Sequence, residues 1–189
     1  MGDNMPENDE LMRLIRARTS CRAYLDRPVS LESINYCLEA ARLAPSACNK
    51  QPWRFIMVTD KHLRDRLCSE DLLPGIPMPW LKAAPVIAVL CARKGIITHR
   101  LAPLLSGVDY ATLDCGIAGE HFVLAAERQG LGTCWIGWFK PKAVKKLLAL
   151  PRDFHPVALI SLGYPAQQRD PSPRLEMKEM AGFNGWDHA

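Results

Sequence analysis

Two arginines and a serine occupy alternate positions in residues 18–22, RTSCR. An extended backbone points alternate side chains to the same side, so Arg18, Ser20 and Arg22 converge on one point. Guanidinium groups match phosphate oxygens in bidentate geometry, and a serine adds a further donor. The pattern therefore fits a phosphate monoester, although the segment taken alone is explained somewhat better as three polar residues facing solvent.

A second segment, residues 44–53 (APSACNKQPW), places turn-forming and amide residues between a predicted helix and a predicted strand. Its two prolines restrict the backbone and favour extended conformations at the residues before them, including Gln51. We therefore expect a stiff loop. On this frame Ser46, Asn49 and Gln51 present hydrogen-bonding groups to a ligand.

The elements that position these segments predict an α+β fold. Helices are predicted after the caps Asp9, Ser30 and Asp60 and over 109–129 and 141–150; strands are predicted over 54–58, 85–91, 133–136 and 157–162. The apolar run at 85–91 lacks alternation, which indicates a central strand covered on both faces. The helix at 109–129 is apolar around most of its circumference, so it should be long and buried. Because strands and helices do not alternate strictly, we expect a small mixed or antiparallel sheet flanked by helices.

Composition narrows the class of protein. The chain has 189 residues, 48% of them hydrophobic, which predicts a single domain over 1–189 with residues 1–8 disordered. Its net charge of +4 comes from scattered basic residues, so nucleic acid is not expected as a partner. The seven cysteines are widely spaced, which predicts neither a metal site nor a disulfide framework.

Location follows from the start of the chain and its apolar runs. The start, MGDNMPENDE, is polar and acidic and has no apolar signal region. The longest apolar run, residues 83–92, is about half of the ~20 residues that a membrane helix needs. We therefore expect a cytoplasmic protein with no membrane association.

A third segment, residues 130–137 (GLGTCWIG), completes a pattern with the first two. Together they resemble the FMN-dependent nitroreductase family, the NAD(P)H:FMN oxidoreductase-like proteins. That family has R-x-S-x-R, then A-P-S-x-x-N-x-Q-P-W, then G-L-G-T-x-W-x-G, and all three occur here in that order. The resemblance runs from about residue 16 to residue 174. It implies a nitroreductase-like fold, FMN as cofactor and a homodimer with FMN at its interface.

The resemblance also implies where the phosphate of FMN binds. The R-x-S-x-R element carries over to Arg18, Thr19, Ser20 and Arg22. In the tail, residues 173–176 are similar to a closing element of the family whose arginine returns to the phosphate, which corresponds here to Arg174. The remaining tail, with Phe183 and Trp186, is expected to wrap the partner subunit.

The isoalloxazine ring is implied to lie against two further segments. The other subunit contributes Pro45, Ser46 and Asn49 beside the ring. The segment that runs along the ring, with a backbone amide toward the flavin N5, comprises Cys134, Trp135, Ile136 and Gly137. A flavin needs such a donor at N5 and positive charge near N1 and C2=O, which Arg22 can supply.

The activity implied by the resemblance is ping-pong oxidoreduction. NAD(P)H reduces the flavin at N5 and leaves, and an electrophilic acceptor such as a nitroaromatic or quinone then takes the electrons. The cofactor carries the chemistry, so no side chain is predicted to act as a catalytic acid or base. Two alternatives remain open: a specialised flavin enzyme of the same fold, such as a dehalogenase or a flavin-consuming enzyme, and a non-catalytic FMN-binding or sensor protein.

Overall fold

The computed structural model describes residues 9–69, 71–93, 107–167 and 170–186, so residues 1–8 lie outside it. In these ranges the helices are α1 Glu10–Ala17, α2 Leu31–Arg42, α3 Lys61–Ser69, α4 Tyr110–Arg128, α5 Pro141–Leu147 and α6 Met177–Met180. The strands are β1 Trp53–Val58, β2 Val86–Arg93, β3 Gly132–Ile136 and β4 Phe154–Gly163. Two short 3-10 turns lie at Ala47–Asn49 and Pro79–Ala83.

Local capping chemistry sets the start of four helices. The side chains of Asp9, Ser30, Asp60 and Asp109 each accept a backbone N–H of the first helical turn. These bonds satisfy donors that have no partner within the helix, which is why short polar residues stand at these positions. The helix starts predicted from the caps are therefore confirmed.

The described strands form one antiparallel sheet in the order β1-β2-β4-β3. Alternate residues of β2 face opposite sides: Leu90 packs with α2 and α4, whereas Val89 packs with α3 and α5. Both faces of β2 are thus covered, as its continuous apolar sequence predicted. An isolated parallel bridge between Ser20 and Thr133 adds the mixed character to this α+β fold.

α4 is the long buried helix that the sequence predicted. It has 19 residues, and Phe122 in its interior is fully buried and stacks on Phe55 of β1 with ring centroids 5.3 Å apart. Gly130, with φ of +70°, follows its end and turns the chain toward β3. Within the described ranges, no helix is long and apolar enough to cross a membrane.

β4 is longer than the predicted 157–162, because a register shift accommodates a proline. Pro156 has no N–H to donate to a neighbouring strand. In the structure Leu90 pairs with Ala158 and Cys91 pairs with Pro156, so Val157 bulges out of the register. The strand then continues to Phe154.

α5 is shorter than the predicted 141–150. It ends at Leu147, and Ala149 adopts a left-handed backbone with φ of +48°. The N–H of Leu150 then donates to the carbonyl of Lys145 at 3.0 Å, which closes the helix end. Glycine normally fills this left-handed position, so the alanine gave no stop signal.

Candidate cofactor site

Residues 18–22 lie along the edge of the sheet formed by β3. Ser20 pairs with Thr133, and the N–H of Cys21 donates to the carbonyl of Thr133 at 2.8 Å. Tyr24 fixes the end of the segment, because its hydroxyl lies 2.6 Å from Oγ of Ser161 and donates to the carbonyl of Cys21. Burial raises the pKa of the Tyr24 hydroxyl, so it stays protonated. The segment is extended, as the sequence predicted.

Alternation assigns the side chains of this segment to two sides. Cys21 is buried, and it lines a cavity of about 220 Å³ together with Thr19 and Gly132. From alternation we expect Arg18, Ser20 and Arg22 to face the other side. The side chain of Thr19 would then face the cavity, so Thr19 would offer its backbone to a phosphate.

Gly132 permits the close contact between this segment and β3. A Cβ built at Gly132 would lie 2.6 Å from Cβ and 2.7 Å from Sγ of Cys21. Any larger residue would separate residues 18–22 from β3. The sequence predicted Gly132 only as part of the third motif. Its role becomes visible only when Cys21 is seen to pack directly against it.

A carboxylate balances the charge at the start of the segment. Burial raises the pKa of Glu127, near the end of α4, and the charge of Arg18 opposes that rise. Arg18 is half-buried, whereas Arg22 is exposed. The positive charge of Arg22 is therefore the more accessible of the two to a ligand.

Residues 134–137 offer backbone to the open edge of the sheet. The carbonyl of Thr133 faces away from β4, toward Cys21. In an antiparallel strand, the N–H and C=O groups of every second residue point to the same side. The N–H groups of Trp135 and Gly137 therefore also face this edge. The side chains of Cys134 and Ile136 are buried.

Two glycines shape the space around that edge. A Cβ at Gly119 of α4 would overlap the indole of Trp135, so the Trp135 side chain packs onto α4. A Cβ at Gly137 would meet nothing within 4 Å. The backbone at Gly137 therefore has an open face onto which a flat group can pack.

The loop over residues 44–53 is tied by its own side chains. The N–H of Gln51 donates to Oγ of Ser46 at 2.9 Å, and Nε2 of Gln51 donates to Oδ1 of Asn49 at 3.0 Å. The predicted extended backbone at Gln51 is wrong: its φ is +47°. The bond back to Ser46 requires a tight turn, and this bond outweighs the preference of a residue before proline.

The loop and residues 18–22 lie far apart within one chain. In register, Thr133 is level with Leu162 and Val86, whereas Trp53 is level with Ala92. Thr133 on β3 and Trp53 on β1 are separated by three strand spacings across the sheet, about 14 Å. Along the strand direction, the six residues from Val86 to Ala92 of β2 add about 20 Å. The two segments thus occupy diagonal corners of the sheet, roughly 25 Å apart.

Arg174 makes hydrogen bonds within its own tail segment. Nη1 of Arg174 donates to the carbonyls of Ser172 and Pro173, at 2.9 and 3.1 Å. Its side chain is exposed. The expected return of Arg174 to the phosphate therefore stays a prediction.

Several cysteines are held as neutral thiols by burial. Burial raises the pKa of Cys37, Cys91 and Cys115 to about 12 and that of Cys68 to about 11. In the part of the chain that the structure describes, no group of three or more His, Cys, Asp or Glu residues is placed to hold a metal ion.

Comparison with known proteins finds one family. The sequence profile of the Nitroreductase family matches residues 15–74 and 69–164. A protein of Archaeoglobus fulgidus named an NADH dehydrogenase/NAD(P)H nitroreductase is 37% identical over 86% of this chain and 89% of its own length. The FMN reductase [NAD(P)H] of Bacillus subtilis is 32% identical over 88% of this chain and 70% of its own length.

A solved structure extends the likeness to the fold. The FMN-dependent nitroreductase of Clostridium difficile superposes with a TM-score of 0.77 at 27% identity. The match covers 92% of this chain and 99% of that one. The two chains therefore share the same overall fold.

Proposed function

The chain belongs to the nitroreductase family and is an FMN-dependent NAD(P)H oxidoreductase, and from this premise we propose that it works as a homodimer with FMN between its two copies. Its proposed reaction is ping-pong transfer of electrons from NAD(P)H to a small electrophilic acceptor such as a nitroaromatic or a quinone.

The open edge of β3 fits FMN in both chemistry and length. Arg18, Ser20 and Arg22 would hold the phosphate, beside Thr133. The backbone from Thr133 to Gly137 spans about 13 Å, a distance suited to a ligand with a phosphate at one end and a flat ring at the other. The outward N–H groups of Trp135 and Gly137 and the open face of Gly137 would receive that ring.

The chemistry of this site rests on binding and orientation. When bound, FMN supplies hydride acceptance and donation at ring position N5. A backbone N–H of the 134–137 segment would hold N5 in place, and Arg22 would provide positive charge toward the pyrimidine edge. Protons would come from solvent.

One observation carries the proposal of a dimer: the loop lies at the far corner of the sheet from residues 18–22, roughly 25 Å away. A site built from both segments is formed most simply when the loop comes from a second copy. Pro45 and Asn49 are exposed and Ser46 is half-buried, so all three are accessible to such a partner. The oxygen of Ser46 already accepts the N–H of Gln51, which leaves its hydroxyl hydrogen to donate to the ring.

Exposed apolar side chains of the tail support the same assembly. Phe183 is 93% exposed and Met177 71% exposed, and their tail neighbours Leu175, Met180 and Trp186 are also exposed. Apolar residues clustered on one segment mark interaction sites more often than free surface. We propose that this tail wraps the partner and that it brings Arg174 toward the partner's phosphate site.

Flavin occupancy tests the phosphate assignment. We expect the purified protein to be yellow and the double variant Arg18→Ala/Arg22→Ala to lose its flavin. The matched control, Arg13→Ala/Arg16→Ala, removes two exposed arginines of α1 and should keep the flavin. Full occupancy in the first variant would refute the assignment.

Reduction tests the activity. Adding NADH or NADPH under anaerobic conditions should bleach the flavin absorbance, and a nitroaromatic or quinone should restore it. Flavin that stays oxidised with both nicotinamides would instead identify a non-catalytic FMN-binding protein.

A further inference from the structure

Asp114 is a buried carboxylate that reaches from α4 to the loop over residues 44–53. Its side chain is 3% exposed. Both carboxylate oxygens accept the N–H of Ala47, at 3.2 and 3.3 Å. Ala47 directly follows Ser46, so this contact joins the interior of the protein to the residue proposed to face the flavin.

The contact fixes the peptide unit between Ser46 and Ala47 from both sides. Its N–H donates to Asp114, and its C=O accepts the N–H of Asn49 at 3.0 Å. A peptide plane held at both ends determines the direction in which the Ser46 side chain leaves the backbone. The position of the Ser46 hydroxyl thus depends on a residue of another helix.

The loop needs such an anchor because its backbone is strained. Cys48, Asn49 and Gln51 all adopt left-handed conformations, with φ of 51°, 51° and 47°. Each such non-glycine residue costs on the order of 1 kcal/mol. The bonds between Gln51 and its neighbours Ser46 and Asn49 lie within the loop, whereas Asp114 and Arg54 tie the loop to α4 and β1.

A carboxylate is suited to this task in a buried place. Hydrogen bonds to charged groups are about twice as strong as those between neutral groups. The charge acts on its surroundings, since it adds to the effect of burial in raising the pKa of the neighbouring Cys115 thiol.

We propose that Asp114 is a positioning residue for cofactor binding, which holds the Ser46–Ala47 peptide in the direction that the flavin ring requires. This role rests on the proposed function, because it needs FMN beside Ser46. Asp114 acts through the loop and touches neither cofactor nor substrate.

Three variants separate this role from general support of the fold. Asp114→Ala removes the acceptor, Asp114→Asn keeps an acceptor oxygen without the charge, and Asp109→Ala removes the N-cap of the same helix, which accepts from Thr112. Two quantities are measured for each: the Kd for added FMN, and the amide hydrogen exchange of Ala47 in the flavin-free protein.

We expect Asp114→Ala to weaken FMN binding and to speed exchange at Ala47 by about tenfold or more each, equivalent to ~1.4 kcal/mol. Asp114→Asn should fall between the wild type and Asp114→Ala in both, since its oxygen still accepts the bond but without the charge. Asp109→Ala should lower Tm and leave the Kd unchanged.

Equal FMN affinity in Asp114→Ala and the wild type would overturn the proposal, as would an equal loss of affinity in Asp109→Ala. Failure of the wild type to bind FMN would refute the proposed function instead. In that case faster exchange at Ala47 in Asp114→Ala would still establish the anchor.

Discussion

Replacing Gly137 with alanine separates cofactor binding from folding. A Cβ at this position meets nothing within 4 Å, and φ of Gly137 lies outside the left-handed region, so the flavin-free chain can accept a methyl group. We expect the free energy of unfolding of the apoprotein to change by less than about 0.5 kcal/mol. A flavin ring packed on this face would be displaced by the methyl group, and its Kd should rise by about tenfold or more, which is ~1.4 kcal/mol.

The same substitution at Gly132, five residues earlier, provides the control. A Cβ at Gly132 would lie 2.6 Å from Cβ of Cys21, in a buried contact with little freedom to relax. Gly132→Ala should therefore cost about 1–3 kcal/mol of stability, as overpacking does elsewhere. It should also weaken FMN binding, since it separates residues 18–22 from β3.

Urea unfolding of the two apoproteins and quenching of FMN fluorescence give both quantities. If Gly137→Ala binds FMN as tightly as the wild type, the ring does not pack on this segment. If Gly132→Ala is as stable as the wild type, the contact between residues 18–22 and β3 is looser than described.

Two further predictions concern pH and assembly. Because burial raises the pKa of the Cys37, Cys68, Cys91 and Cys115 thiols above the ordinary 9.0, their contribution to stability is complete below pH 9 and is lost as the pH rises through about 11–12. Each thiol should lower the free energy of unfolding by up to about 1.4 kcal/mol per pH unit in that window. Cys68→Ala should therefore reduce the slope of the free energy of unfolding against pH by the contribution of one proton. A free energy of unfolding that does not change with pH in this window would count against buried thiols. Phe183→Asp should convert the dimer into monomers in sedimentation velocity and lower flavin content, whereas Lys178→Asp on α6 should do neither; a dimer unchanged by Phe183→Asp would show that the tail does not hold the partner.

Short-range signals in the sequence predicted most of the fold. The caps Asp9, Ser30, Asp60 and Asp109 act within one helical turn, so their effect is readable from neighbours alone. The two wrong boundaries have different causes, one long-range and one local. β4 runs through Pro156 only because its partner strand shifts register, and α5 stops where an alanine takes a conformation usual for glycine.

The sequence predicted the candidate site as three separate motifs, and the structure shows where each of them lies in the fold. The extended backbone of residues 18–22 was predicted correctly because it is a local property, whereas the convergence of Arg18, Ser20 and Arg22 on one side stays a prediction. The role of Asp114 could not be predicted from the sequence. Its hydrogen-bond partner, Ala47, lies 67 residues away, and no neighbouring residue indicates that contact. Gly132 likewise acquires its meaning only from the cysteine packed against it.

Mixed dimers test the central claim, that each FMN is held by residues 18–22 of one copy and the loop of the other. One chain carries Arg18→Ala/Arg22→Ala, and the other carries Ser46→Trp, which fills the space proposed for the ring. Each homodimer should lack flavin. Co-expressed and purified through two different tags, the mixed dimer should contain one FMN, because one of its two sites combines the intact segment of one chain with the intact loop of the other. A mixed dimer without flavin would contradict the account, since each chain would then build its own site.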